Sequence, residues 1–208
     1  KEAAKIFVSQ ASLEELQKVK DSLLRLVRWN GKCPYDPVHK IAEIGDVKLM
    51  EFILRTSFDM NTKGGVGRTA WHMACIHGRT ETVELMIQSS KDFGIDLNAK
   101  DGFGSTAWHE ACKYGQTETA QLILQSSKDF GIDLNVKDNN GSTALHEACD
   151  NGRRETVQMM LKNWKEFGID IKAQDNKGKT ALDVINHRES WILWNHHEGW
   201  NEIKKMLE

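Results

Sequence analysis

GRTAWHMACIHG (67–78), GSTAWHEACKYG (104–115) and GSTALHEACDNG (141–152) are one phrase written three times at 37-residue intervals, and GKTALDVIN opens a fourth copy at Gly178. Between residues 64–100 and 101–137, 25 of 37 aligned positions are identical, and QSSKDFGIDLN stands unchanged at 88–98 and 125–135. Self-similarity at a fixed period of this size marks a chain built by stacking one small unit.

Each unit is predicted to be a hairpin followed by two helices. Gly67, Gly104, Gly141 and Gly178 supply a turn, and Thr69, Thr106, Thr143 and Thr180 follow with a hydroxyl placed to cap a helix. The first helix closes at Gly78, Gly115 or Gly152, where glycine can take the left-handed conformation that ends helices. In the second helix Val83, Met86 and Ile87, and again Val157, Met160 and Leu161, recur on one face. A two-helix unit cannot bury that face alone, so the units must stack and share a continuous core.

The runs T-A-W-H-x-A-C and T-A-L-H-x-A-C, with the later G-x-x-E-T, resemble the ankyrin signature T-P-L-H-x-A-x-x-G-x-x-E over residues 33–207. Alanine replaces the usual proline at 70, 107, 144 and 181, and the period of 37 exceeds the usual length of about 33 by one helical turn. The resemblance implies an all-α ankyrin-repeat solenoid of about five units with hairpin loops. The expected units are 31–63 (an N-terminal cap, with His39, Ala42 and Gly45 in signature positions), 64–100, 101–137, 138–174 and 175–207 (a C-terminal cap, with Asp183 in place of the histidine). An insertion bearing Trp191, Trp194 and His196 interrupts the last unit. Ahead of the units, Ser12 with Glu15 reads as a capping box and Leu16, Val19, Leu23 and Val27 as an apolar stripe, so residues 1–30 are expected to add a helix against the first cap.

Composition narrows the function. The 208 residues are 39% hydrophobic, and 28 Lys and Arg against 30 Asp and Glu leave a formal charge of -2, so no global positive field exists to hold nucleic acid. No stretch approaches the roughly 20 apolar residues of a membrane span. Three of the four cysteines, Cys75, Cys112 and Cys149, follow the repeat period, as Cys33 does not, and they read as reduced thiols of the cytoplasm or nucleus. The chain opens on Lys1 and is expected to be a fragment of a longer protein.

Chemistry is weighed next. His72/Cys75, His109/Cys112 and His146/Cys149 have a spacing that zinc accepts, but they occupy signature positions where histidine can bond the threonine hydroxyl and cysteine can fill the core. His196, His197 and Glu198 are adjacent, and adjacent side chains on a helix diverge. KGGVGRT (63–69) lacks the Gly-Lys-Ser/Thr order of a phosphate loop. Glu110 and Glu147 are equivalent positions of consecutive units and not a catalytic pair. No enzyme activity, cofactor or metal is expected.

What varies between units is the turn and the end of the first helix: Val66, Arg68, Ile76 and His77; Phe103, Ser105, Lys113 and Tyr114; Asn139, Asn140, Ser142, Asp150 and Asn151; Lys177 and Lys179. In proteins that this chain resembles, such positions line a concave groove. The expected function is therefore a monomeric scaffold or adaptor module that holds a protein or peptide partner there. Phe103 and Tyr114 are the expected anchors, Arg68 and Lys113 beside them favour a partner with apolar and acidic side chains, and Lys91 and Lys128 are expected behind, after the second helices. The rival readings are the recognition arm of a larger enzyme or signalling protein and a self-associating spacer.

Overall fold

The computed structural model describes residues 37–55, 58–189 and 199–207. The expected N-terminal helix, Cys33 and the insertion with Trp191, Trp194 and residues 196–198 lie outside these. The described residues form helices α1 (Pro37–Ile44), α2 (Val47–Leu54), α3 (Ala70–Ile76), α4 (Thr80–Phe93), α5 (Ala107–Tyr114), α6 (Thr117–Phe130), α7 (Ala144–Asp150), α8 (Arg154–Phe167), α9 (Ala181–Glu189) and α10 (Gly199–Leu207). Odd-numbered helices pack on one another in one row and even-numbered helices in a second row. Between the rows lies a continuous core that includes Trp71, Trp108, Leu145, Met86, Ile123 and Met160.

A threonine and a histidine three residues on start the central first helices. Thr69 N donates to His72 Nδ1 (3.2 Å) and the Thr69 hydroxyl meets the same nitrogen at 2.9 Å. Thr106 with His109, and Thr143 with His146, repeat the arrangement. Because Nδ1 accepts from a backbone N–H, the proton of the neutral ring sits on Nε2. That Nε2 donates to the turn of the next unit: His72 to Ser105 O (3.1 Å), His109 to Ser142 O (3.2 Å) and His146 to Lys179 O (3.0 Å). His39 of the first unit reaches Arg68 O at 2.9 Å in the same way. In the last unit Asp183 keeps the cap, accepting from Thr180 N (2.9 Å) and the Thr180 hydroxyl (2.7 Å), and has no ring to send onward.

A second cross-unit row runs through the loops after the even-numbered helices. Asn61 Nδ2 donates to Gly94 O (2.7 Å) while its Oδ1 accepts from Asp96 N (2.8 Å). Asn98 and Asn135 do the same to the units that follow them, and Lys172 stands at the equivalent place where the row stops. The extra helical turn implied by the long period is in the second helix itself: α4, α6 and α8 have 14 residues each, against 8 in α2.

The hairpins form as tight turns, with no strand among the described residues. Asp101 N donates to Ser105 O (2.9 Å), while Asp101 Oδ1 accepts from Phe103 N and Ser105 N (2.9 Å each). Asp138 and Asp175 build the next two turns alike. Neighbouring turns join through Gly102 N to Val66 O (2.7 Å), Asn139 N to Phe103 O (2.9 Å) and Asn176 N to Asn140 O (2.9 Å). Gly104 has φ +79, and a Cβ there would come within 2.8 Å of Asn139 N, so the approach of two turns demands glycine on two counts.

Two outcomes follow for the histidine row. His109→Ala strands the carbonyl of Ser142 and removes the cap partner of Thr106, and a loss of roughly 1–3 kcal/mol is expected in denaturant titrations. The second outcome concerns acid. Burial, opposed by the Ser105 carbonyl and by Asp101, lowers the His72 pKa from 6.5 to about 4. His109 is shifted the same way. The unfolded state then binds more protons across that window, so stability is full above pH 6.5 and falls as pH drops toward 4. A denaturation midpoint that stays flat between those values would contradict it.

Candidate functional site

The variable turn and first-helix positions converge on one face, where turns and odd-numbered helices stand side by side. Val66, Phe103, Asn140 and Lys177 occupy equivalent places, one at the tip of each turn, and all four are exposed. Phe103 is 57% exposed, Val66 50% and Tyr114 41%, among the large apolar side chains left most open to solvent. His77, Asn139 and Asn140 are exposed as well, while Arg68, Lys113, Ser142, Asp150, Asn151 and Lys179 are half-buried.

Two expected surface residues are corrected. Ile76 is 8% exposed because an apolar side chain at this place lies down on the core, whereas its counterpart Lys113 reaches outward. Ser105 is 6% exposed, its N–H taken by Asp101 and its carbonyl by His72. Lys91 and Lys128 lie within the last turns of α4 and α6, not after them, and cover the Phe130 and Phe167 rings at 5.3 and 4.8 Å.

The cations beside the aromatics are not free. Arg68 Nη2 bonds Glu110 Oε2 at 3.1 Å, and Arg68 Nε stands 3.6 Å from Asp101 Oδ2. The Glu110 side chain is 2% exposed and that of Asp101 0%. Burial pushes the Glu110 carboxyl up, against the pull of Arg68. Lys113 Nζ pairs with Glu147 Oε2 at 3.2 Å. The expected basic surround of Phe103 and Tyr114 is thus charge-compensated, each cation held by a carboxylate of the following unit. These pairs were missed in the sequence because Arg68 and Glu110 are 42 residues apart and break the repeat, Met73 standing where Glu110 would be in the preceding unit.

At the C-terminal end of the same face a cleft of about 430 Å³ opens between the last two turns, lined among others by Asn140, Ser142, Glu147, Asp150, Lys177 and Lys179. The histidines and cysteines of the repeat do structural work. Cys75, Cys112 and Cys149 are fully buried, and burial pushes their thiols well above the ordinary range. Among the described residues no group of three or more His, Cys, Asp or Glu could hold a metal ion, and no helix is long and apolar enough to cross a membrane. Lys63, the lysine of the glycine-rich run, donates to Lys100 O at 2.9 Å.

Family models of ankyrin repeats match residues 15–101 and 38–138 in a three-copy form and 128–185 in a many-copy form. The chain belongs to the ankyrin-repeat family. A search of curated proteins finds no match. Ankyrin repeats are in general protein–protein interaction modules and typically non-catalytic, and the histidine and asparagine rows above are how this ankyrin stack holds its units in register.

One position of the face departs from economical geometry. Val66 has φ 63, the left-handed region, which only glycines share among the described residues. A β-branched residue there costs about 1–2 kcal/mol. Gly65 and Gly67 flank it, so glycine was available to this turn. Val66→Gly should therefore leave the thermal midpoint unchanged or raised, because relieved strain offsets the added chain entropy. A clear drop in the midpoint would make the valine a packing residue.

Proposed function

We propose that this chain is a non-catalytic protein-interaction module, a scaffold or adaptor part, that holds its partner against the turn and first-helix face with Phe103 and Tyr114 as anchors. One observation carries the reading. The repeated positions are committed to the core and to cross-unit bonds, while Phe103 and Tyr114, within one unit, are left 57% and 41% exposed on the face where the variable positions gather. Exposed aromatics bring large contact area at small entropic cost, and tyrosine is among the residues enriched at binding hot spots. The Arg68–Glu110 and Lys113–Glu147 pairs join the unit that carries those rings to its two neighbours. Asn139, Asn140, Ser142, Asp150, Asn151, Lys177 and Lys179 continue the surface into the C-terminal cleft.

The test is a partner recovered by affinity capture and then measured calorimetrically. Replacing Phe103 and Tyr114 together with alanine should weaken binding by about 2–4 kcal/mol with the melting temperature unchanged. Lys91→Ala with Lys128→Ala, on the second helices, should be nearly silent. If that pair abolishes binding and the aromatic pair does not, the partner sits on the second-helix side.

A further inference from the structure

The turn tips form a row whose chemistry changes in one direction. Val66 and Phe103 are apolar, Asn140 is a neutral amide and Lys177 is a cation, with successive turns joined by backbone bonds of 2.7, 2.9 and 2.9 Å. At the apolar end the available cations are already held, Arg68 by Glu110 and Lys113 by Glu147. At the other end the ammonium groups of Lys177 and Lys179 make no ion pair among the described residues, and both line the 430 Å³ cleft. The acids of that cleft are no more exposed than Lys179, and two of them are engaged. Glu147 is held by Lys113, Asp175 accepts from Lys177 N and Lys179 N at 2.8 Å each, and Asp150 is half-buried, whereas Lys177 stands exposed at the lip. An approaching segment meets Lys177 first, with Lys179 half-buried beside it.

We propose that the partner presents an extended segment that is apolar at one end, seated on Val66, Phe103 and Tyr114, and acidic at the other, seated on Lys177 and Lys179. This rests on the reading that the face binds a protein. Spacing follows from the stack. Phe103 and Lys177 are two units apart, neighbouring helices pack about 8–10 Å apart, and an extended chain advances roughly 3.3 Å per residue, so about six residues separate the apolar and acidic ends. The strained Val66 fits this assignment, since it holds an apolar side chain out at the end of the row.

The experiment selects peptides from a random display library, long enough to span that distance, on the intact chain, on Lys177→Glu/Lys179→Glu and on Phe103→Ala/Tyr114→Ala. Both variants are first checked for a melting temperature unchanged from that of the intact chain. The expected winners on the intact chain carry an apolar cluster and, about six residues away, Asp or Glu. Selection on the lysine variant should keep the apolar cluster and lose the acids. A fluorescently labelled winner should bind the lysine variant about tenfold more weakly at low ionic strength, with the gap narrowing as salt is added. Winners that need Phe103 and Tyr114 yet show no acidic preference, or that bind the lysine variant equally well, overturn the bipartite segment and leave the interaction face standing. Winners indifferent to Phe103 and Tyr114, or no enrichment at all, overturn the face itself.

Discussion

A single neutral imidazole in each of the three central units does two jobs that the stack depends on. Its Nδ1 closes the helix cap on its own threonine, and its Nε2 holds the turn of the next unit, as His109 does for Thr106 and Ser142. The cap bond does not survive if the ring gains a second proton, because Nδ1 would then oppose the threonine N–H instead of accepting from it, while Nε2 keeps its donor. Local helix initiation and unit-to-unit registration therefore share one side chain and one protonation state. The outer units show the logic from the outside: His39 reaches forward to Arg68, and Asp183 preserves the cap without a ring to send onward.

This economy frees the face. With the backbone of the turns tied by Asp101, Asp138 and Asp175 and the helices by threonine and histidine, exposed side chains such as Val66, Phe103, Tyr114 and Lys177 can differ between units. The exception is electrostatic. Arg68 lies between two buried carboxylates, and taking it away would leave both without a cation in a poorly solvated place, a far larger penalty than the net worth of the pair. The apolar half of the face thus rests on a floor that tolerates little change, while the tips above it remain free to vary.

The fold was legible because its determinants recur. Thr69, Thr106 and Thr143 announce the same cap three times, and the glycines at 78, 115 and 152, with φ of 61, 71 and 68, end the first helices where the pattern placed them. What the repeat cannot display is anything that happens once. Arg68–Glu110 joins two positions that differ from their own equivalents, so periodicity hides it. The burial of Ile76 depends on chemistry at a place where the next unit has Lys113, and the left-handed Val66 follows from Gly64 replacing the aspartate that shapes the other turns. The proposed face rests on variation between units, and the charge expected beside its aromatics is already paired in the structure, because formal charges counted along a chain ignore their partners.

That distinction decides what the face can recognise. A cation bound to a carboxylate offers a partner only the difference between two ion pairs, and that difference is small at a solvated surface. Lys177 and Lys179 form no such close pair, although Asp175 and Asp183 feel their charge, so they keep more of their interaction for a partner. Under the proposed bipartite reading, sorting the basic residues of the face by partner rather than by type assigns the acidic contact to Lys177 and Lys179 and not to Arg68 and Lys113 beside the aromatics. The apolar contact and the ionic contact are then separated along the stack, and separated contacts discriminate more sharply than coincident ones. A ligand must satisfy both ends and the distance between them, and since the cross-unit bonds hold that distance, the rigidity of the scaffold becomes part of its specificity.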